Sequence, residues 1–343
     1  MLPAIFGLAG PALTDDERAF FREADPAGYI LFARNCIDRG QLRKLTDDLR
    51  SLHGREHTFI CIDQEGGRVA RMKPPEWPAY PPGGRFADLF DLAPASAIEA
   101  ARVNAQALGL DLAEAGITVD CLPLLDVRQE GAHDVIGDRA LGTEPMQVAA
   151  LGRAVLDGLA AAGVAGVVKH MPGHGRAGVD SHKSLPTVTA SDAQLETDLA
   201  PFRTLAAAPI AMTAHIVYTA WDAERPATQS PYVIEEIIRK RIGFNGLLLS
   251  DDLDMEALSG TVPQRAERAV AAGCDLALNC WGKMDDMQGI AAALPAMGAA
   301  ATERLEQALG GTRIDADMTA QAALAEKRDA LLALLPQAAE ARA

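Results

Sequence analysis

Positive charge is in short supply in this sequence. The 343 residues include 32 Lys and Arg against 47 Asp and Glu, which gives a formal net charge of −15 at pH 7. A protein that binds nucleic acid or an anionic membrane through phosphate groups needs an excess of cations on the contact surface. We therefore expect neither partner, and an anionic ligand would have to be met by local cations.

Cysteine and long apolar runs are also scarce. The five cysteines show no C-x-x-C spacing and lie mostly within apolar runs, at Cys36, Cys61, Cys121, Cys274 and Cys280. This pattern is typical of reduced core thiols and argues against disulfides or a zinc site. No apolar run approaches the roughly 18 residues that span a bilayer, and the apolar stretch 1–13 lacks the basic residues that open a secretory signal. We expect a cytoplasmic protein.

Apolar residues are plentiful, at 49% of the chain, and they follow a regular alternation of short and long segments. The eight candidate strands are Ile5 to Ala9, Gly28 to Ala33, Thr58 to Asp63, Thr118 to Leu125, Gly163 to His170, Pro209 to Ile216, Gly246 to Ser250 and Cys274 to Asn279. Continuous apolar strands alternating with amphipathic helices indicate parallel strands buried on both faces, and eight such units favour a closed (β/α)8 barrel of the TIM type. An open, doubly wound α/β sheet stays the alternative.

The whole chain, residues 1–343, is expected to form one catalytic domain. The barrel would occupy about residues 5–300, and the Ala- and Leu-rich tail of about 301–343 predicts helices that pack on the barrel. Neither a Ser/Gly linker nor a repeat separates the two parts. Helix starts are predicted at Thr14 and at the capping-box patterns Ser96-x-x-Glu99 and Ser191-x-x-Gln194.

Polar residues follow five consecutive predicted strands. They are Asp63 after the third strand, Asp126 after the fourth, Lys169 and His170 after the fifth, His215 after the sixth, and Asp251 and Asp252 after the seventh. Active sites of (β/α)8 barrels lie where the strands end and the βα loops begin. We therefore expect these side chains to converge at one mouth of the barrel.

The densest polar segment follows the apolar run Val164 to Val168. It reads Lys169-His170-Met171-Pro172-Gly173-His174-Gly175, and Asp180-Ser181-His182 comes a few residues later. Three of the seven histidines fall within thirteen positions, on a segment broken by glycine and proline. This arrangement is typical of catalytic chemistry on a loop, and the glycines suggest a loop that closes over bound substrate.

These motifs resemble those of the family 3 glycoside hydrolases, in particular their single-domain bacterial β-N-acetylglucosaminidases of peptidoglycan recycling. The resemblance runs in order over about residues 5–285. It rests on K-H-x-P-G-H-G with D-S-H, Leu249-Ser250-Asp251-Asp252-Leu253-x-Met255, Ile62-Asp63-Gln64-Glu65-Gly66-Gly67-Arg68, Ile30-Leu31-Phe32-Ala33-Arg34-Asn35 and Ala272-Gly273-Cys274-Asp275. Met171, where phenylalanine is common, and Gln64, where histidine is frequent, depart from the pattern and bear on pocket packing.

The resemblance implies a role for each matching residue. Asp251 would be the nucleophile that forms a covalent glycosyl-enzyme with net retention. His182 would be the acid/base with Asp180 as its partner, since a neighbouring carboxylate favours the imidazolium that protonates the leaving oxygen. The implied sugar-binding residues are Asp63, Arg71, Arg139, Lys169 and His170.

The implied function is that of a retaining exo-β-N-acetylglucosaminidase. Its substrates would be muropeptide fragments, in which N-acetylglucosamine is linked to anhydro-N-acetylmuramic acid with or without peptide. We expect a monomeric enzyme without cofactor or metal.

Simpler interpretations of single residues stay open. Arg139 could pair with its neighbour Asp138 on the surface, and His174 could only structure its loop. His215 and Asp126 could order the barrel mouth without touching ligand, and Asp252 is expected to support its loop and not to be the nucleophile.

Three other functions are compatible with the sequence. One is a hexosaminidase in which the substrate's own acetamido group attacks. Another is a metal-dependent barrel hydrolase, with ligands drawn from His170, His174, His182, His215 and Asp251; the first strand lacks the H-x-H pair usual in such barrels. The third is a sugar-binding barrel without catalysis.

Overall fold

The computed structural model describes residues 1–55, 57–129, 131, 134–179 and 184–336, and every structural statement below concerns these residues. The strands are β1 (Leu2–Gly7), β2 (Pro26–Leu31), β3 (Phe59–Ile62), β4 (Val119–Asp120), β5 (Ala165–Met171), β6 (Thr187–Val188), β7 (Ile210–Thr213), β8 (Val217–Tyr218), β9 (Leu247–Asp252) and β10 (Leu276–Asn279).

Eight of these strands close into a parallel barrel in the order β1-β2-β3-β4-β5-β7-β9-β10, while β6 and β8 pair in a separate two-stranded sheet. The ring closes where Ile5 of β1 lies beside Leu278 of β10. The predicted (β/α)8 barrel is therefore confirmed, and the alternative prediction of an open, doubly wound sheet is wrong.

Strand β4 is much shorter than the predicted Thr118 to Leu125. Pro123 has no amide hydrogen with which to continue the ladder. Val167 and Lys169 of β5 still donate to the carbonyls of Leu122 and Pro123, at 2.9 and 3.1 Å, and one isolated bridge joins Leu124 to Lys169.

Helices surround the barrel. They are α1 (Asp15–Ala24), α2 (Arg39–Ser51), α3 (Gly83–Leu92), α4 (Pro94–Glu114), α5 (Pro145–Ala161), α6 (Asp192–Thr204), α7 (Val262–Ala272), α8 (Met284–Ala293), α9 (Ala299–Leu309) and α10 (Gln321–Leu332). A π-helical segment, Val233–Ile242, lies between β8 and β9, and short 3-10 turns occupy Ala33–Asn35, Gly137–Arg139, Ala227–Gln229 and Met318–Ala320.

Two of the three predicted helix starts are confirmed. Thr14 and Ser191 each form a complete capping box, at the starts of α1 and α6. The predicted helix start at Ser96 is wrong, because α4 already begins at Pro94. Proline suits the first helical position, where its missing amide hydrogen would have had no partner and its φ is already helical.

The apolar core has two layers, set by the alternation of side chains along each strand. Ile5, Ile30 and Val167 belong to an inner layer that fills the barrel. Phe6 and Leu31, on the other face of their strands, pack in the layer beneath the helices. The five cysteines are free and four of them are buried, as the sequence predicts.

The C-terminal helices pack on the barrel's helical layer, as predicted. From α10, Gln321 donates to Asp111 of α4 at 2.8 Å, and the buried Arg328 donates to Asn104 of the same helix at 3.3 Å. The single-domain organisation, the monomeric state and the cytoplasmic location stay predictions. Across the described ranges, no helix has both the length and the apolar character that crossing a bilayer requires.

Candidate active site at the mouth of the barrel

A cavity of about 160 Å³ lies at the carboxyl ends of the barrel strands. Its lining includes eight polar residues singled out from the sequence, namely Asp63, Arg71, Arg139, Lys169, His170, His174, Asp251 and Asp252. The strand-end rule thus brings together side chains that lie up to 189 positions apart in the sequence, from Asp63 to Asp252.

Five of the charged residues form a chain of alternating sign, Arg71–Asp63–Lys169–Glu65–Arg139. Asp63 accepts from Arg71 Nη2 at 3.1 Å and from Lys169 Nζ at 3.0 Å. The same ammonium lies 2.8 Å from Glu65 Oε1. Glu65 in turn accepts hydrogen bonds from Nε and Nη2 of Arg139, at 2.7 and 2.8 Å.

The opposite charges in this row of five residues offset the energetic cost of burying them. Burial alone would lower the pKa of Lys169, but the carboxylates of Asp63 and Glu65 raise it well above its usual range. Burial would likewise raise the pKa of both carboxyls, and their cationic partners lower it instead. Asp63, Glu65 and Lys169 therefore remain charged at neutral pH. Carboxylates and cations together can both donate to and accept from sugar hydroxyls.

Glu65 was not singled out in the sequence, although it lies in the quoted motif beside Asp63. Its side chain is only 4% exposed and joins Lys169 to Arg139. The simpler interpretation of Arg139 is wrong, because Asp138 pairs instead with Arg68 at 3.0 Å. The spacing of Glu65 from Asp63 could have identified it. Residues two apart in an extended chain point to the same face, so Glu65 is expected on the same side as Asp63.

Asp126 organises the two histidines of the fifth strand's loop. Its Oδ1 accepts the backbone amides of His170 and His174, at 3.1 and 2.7 Å, and its Oδ2 lies 2.8 Å from His170 Nδ1. Although burial raises the pKa of Asp126, His170 and the hydrogen bonds lower it below its usual range. The fully buried Asp126 thus fixes the loop at the barrel mouth, and His170, held through Nδ1, lines the cavity.

His174 packs edge-on to His170, with ring centroids 5.5 Å apart. Burial, followed by the nearby His170, lowers the pKa of His174 to about 4. The ring is therefore neutral at physiological pH.

The pKa values of the adjacent carboxyls at the end of β9, Asp251 and Asp252, are shifted in opposite directions. Burial raises the pKa of Asp251, but His215, His170 and the amide of Asp252, at 2.8 Å from Oδ1, bring it below its usual value. The pKa of Asp252 is raised well above its usual value by burial and by the charge of Asp254. Opposed pKa values on neighbouring acids are a common way to divide chemical roles.

His215 is fully buried behind this pair. Its Nδ1 lies 2.7 Å from the Thr228 hydroxyl and its Nε2 lies 2.9 Å from the carbonyl oxygen of Asp252. Both ring nitrogens are engaged by these partners, so His215 fixes the backbone that carries the two acids.

Gln64 has a positioning role that the sequence did not reveal. Its side-chain oxygen accepts the backbone amides of Arg71 and Met72, at 2.8 and 3.0 Å, and its amide donates to the Met72 carbonyl at 2.8 Å. Its own backbone amide donates to buried Asp120 at 3.0 Å. Gln64 therefore holds the loop that presents Arg71 to the cavity.

The predicted acid/base residues, Asp180 and His182, lie outside the described residues. Among the residues that are described, no three His, Cys, Asp or Glu side chains are grouped so as to hold a metal ion. Of the suggested metal ligands, His170 and His215 direct ring nitrogens at Asp126, Thr228 and the backbone.

The sequence matches the model of the Glycosyl hydrolase family 3 N terminal domain over residues 7–313. The chain belongs to glycosyl hydrolase family 3. This family 3 chain is 40% identical over 285 residues to the β-hexosaminidase of Bordetella pertussis, an alignment that covers 81% of this chain and 80% of that protein. It is 38% identical over 318 residues to the β-hexosaminidase of Chromobacterium violaceum, covering 91% and 88% respectively.

Its fold is similar to that of NagZ from Neisseria gonorrhoeae in complex with N-trifluoroacetyl-D-glucosamine. The TM-score is 0.86, with 31% sequence identity and 97% of each chain covered. This family 3 protein is accordingly a glycoside hydrolase of the β-N-acetylhexosaminidase type.

Proposed function

We propose that this family 3 enzyme is a retaining exo-β-N-acetylglucosaminidase that releases terminal N-acetylglucosamine from muropeptide fragments. The substrate is N-acetylglucosamine linked to anhydro-N-acetylmuramic acid, with or without peptide. Asp251 is the nucleophile, and the dyad of His182 and Asp180 is the acid/base.

This proposal rests on the position of Asp251 and on the pKa of its carboxyl group. Its carboxylate lines the same cavity as Lys169 and His170, and its pKa is lowered while that of Asp252 is raised. An ionised carboxylate is what attack on an anomeric carbon requires. The Asp252 amide fixes Oδ1, so Oδ2 is the oxygen proposed to attack.

The proposed sugar-binding residues are Asp63, Arg71, Arg139, Lys169 and His170. The alternating ion chain gives the first four a fixed arrangement without any ligand, so little reorganisation is needed on binding. Arg71 lines the cavity, and its Nε is buried without a hydrogen-bond partner among the described residues. Its guanidinium lies 5.0 Å from the ring centroid of Phe32, which also lines the cavity.

In this mechanism His182 first gives a proton to the leaving oxygen while Asp251 bonds to the anomeric carbon. Once neutral, the same imidazole takes a proton from water, which attacks the glycosyl-enzyme and frees Asp251. Two displacements at one carbon return the product with the β configuration of the substrate.

Two variants test this division of roles. Asp251→Asn is expected to lose turnover on every substrate, by a factor of roughly 10⁴ or more. His182→Ala should lose far more on N-acetylglucosaminyl-anhydromuramic acid than on 2,4-dinitrophenyl N-acetylglucosaminide, whose leaving group needs no proton. Equal losses of kcat/KM on the two substrates would contradict the acid/base role.

Substrate class and stereochemistry are measured separately on the unmodified enzyme. Among aryl N-acetylglucosaminide, glucoside and xyloside, we expect turnover of the first alone. Proton NMR should detect β-N-acetylglucosamine as the first product, before mutarotation. An initial α product would rule out retention.

A further inference from the structure

An exposed indole lies on the loop after the last barrel strand. Trp281 comes two residues after the end of β10 and is 59% exposed. Its neighbour Cys280 lines the sugar cavity. By contrast, Trp77 is only 3% exposed. A large apolar ring left in water beside a ligand cavity is a candidate contact surface.

Hydrogen bonds fix the backbone beneath this ring. Asp254 Oδ2 accepts the backbone amides of Cys280 and Trp281, at 3.0 and 3.3 Å. The residues flanking the same segment of the loop after β9, Asp252 and Met255, also line the cavity. Trp281 therefore lies where the loops after β9 and β10 meet, next in sequence to the cavity-lining Cys280.

The ring itself is held from one side. The Lys283 ammonium lies 4.9 Å from the centroid of the Trp281 ring, within the range of a cation–π contact. The turn between them requires glycine, because Gly282 has a φ of +67° and a Cβ there would lie 2.8 Å from the Leu8 backbone. The indole is thus presented on a short, constrained turn and not on a free loop.

We infer that Trp281 is the platform on which the leaving-group sugar of the substrate packs. The inference rests on the proposed function and adds to it the residue that contacts the second sugar. In the proposed exo reaction the terminal N-acetylglucosamine occupies the cavity of about 160 Å³, so the leaving-group sugar lies toward the opening of that cavity. The C–H groups on one face of a pyranose ring pack well against an aromatic face, and the indole offers that surface without much loss of side-chain entropy.

Substrates with large and small leaving groups test the inference. We expect Trp281→Ala to lower kcat/KM roughly tenfold on N-acetylglucosaminyl-anhydromuramic acid and on N,N′-diacetylchitobiose. On N-acetyl-β-glucosaminyl fluoride it should change kcat/KM by less than about twofold, because a single fluorine atom cannot reach the ring. Trp281→Phe, which keeps an aromatic face, should restore most of the loss.

A matched control is Tyr232→Ala. It removes another exposed ring, at 49%, from the start of the π-helical segment on the outside of the barrel, and it should affect none of the substrates. Binding gives a readout independent of turnover: anhydro-N-acetylmuramic acid alone should change the tryptophan fluorescence of the wild type and not that of Trp281→Phe.

Equal losses on the fluoride and the disaccharides would overturn the inference, as would a Phe variant as impaired as the Ala variant or an Ala variant without any loss. Failure of the wild type to cleave the fluoride would instead count against the proposed function. Cleavage of chitobiose but not of the muramic disaccharide would revise the substrate, and the platform would then be tested on chitobiose.

Discussion

Glu65 joins the two halves of the ion chain at the barrel mouth. It is nearly buried, and it faces the ammonium of Lys169 and the guanidinium of Arg139 at distances of 2.7 to 2.8 Å. Lys169 and Arg139 are themselves largely buried, at 2% and 12% exposed, and the carboxylate offsets the cost of burying them. The arrangement of the proposed sugar-binding residues therefore depends on a residue that is not itself expected to contact the sugar.

Glu65→Gln keeps the volume of the side chain and removes its charge. Neutralising one partner of a buried ion pair leaves the other uncompensated, so we expect the free energy of unfolding to fall by about 3 kcal/mol. Urea denaturation of both proteins measures it.

The control for this variant is Asp138→Asn. Asp138 pairs with Arg68 at 3.0 Å, but both side chains are about half exposed, at 52% and 49%. Exposed pairs contribute about 0 to 1 kcal/mol. If the two variants lost the same unfolding free energy, Glu65 would contribute no more to stability than a residue of an exposed ion pair.

His174 makes stability depend on pH in the weakly acidic range. Its pKa is about 4 in the folded protein against a usual 6.5, because burial disfavours the charged ring. The unfolded chain therefore takes up a proton that the folded protein does not, and stability is full above pH 6.5 and is lost as the pH falls toward 4. At about 1.4 kcal/mol per unit, this group should remove about 2 kcal/mol between pH 7 and pH 5.

Urea unfolding of the wild type and of His174→Asn at pH 7 and pH 5 isolates this contribution. The variant should lose about 2 kcal/mol less than the wild type over the same interval. Parallel pH profiles would mean that His174 is accessible to protons in the folded state.

Among the helices, the contrast between Ser191 and Ser96 shows what a local pattern can and cannot predict. Both fit the same capping-box pattern, and only Ser191 caps a helix. Two residues before Ser96, Pro94 already satisfies the geometry of a helix start, so the helix begins earlier and places Ser96 in its first turn. A short motif predicts an element boundary only where no stronger signal precedes it.

The two serines form a matched pair for measurement. Ser191→Ala removes the hydroxyl that accepts from the Gln194 amide and should cost about 1 kcal/mol of unfolding free energy. Ser96→Ala replaces a helical serine with a better helix former and should cost nothing. A comparable loss in Ser96→Ala would place a functional cap there after all.

On the scale of the whole molecule, the barrel and the place of its site follow from the sequence. The alternation of strands and helices predicts the closure, and the strand-end rule places Asp63, Lys169 and Asp251 around one cavity. What it does not reveal are contacts between the loops of neighbouring strands, such as that of Glu65 with Arg139, 74 positions apart. Those partners are set by how neighbouring strands and loops meet, which no local pattern encodes. Asp180 and His182 lie outside the described residues, so their roles stay predictions.

The same whole-molecule geometry predicts which residue becomes bonded to the sugar. The proposed mechanism requires a covalent intermediate on Asp251 at the end of β9, with Asp251 ionised and the pKa of Asp252 raised. The direct measurement is mass spectrometry of peptides from enzyme trapped with 5-fluoro-N-acetylglucosaminyl fluoride. We predict one glycosyl adduct, on Asp251, and none in Asp251→Asn. A rapidly inactivated enzyme labelled on another residue, or turnover without any adduct while the acetamido group cyclises, would contradict the account.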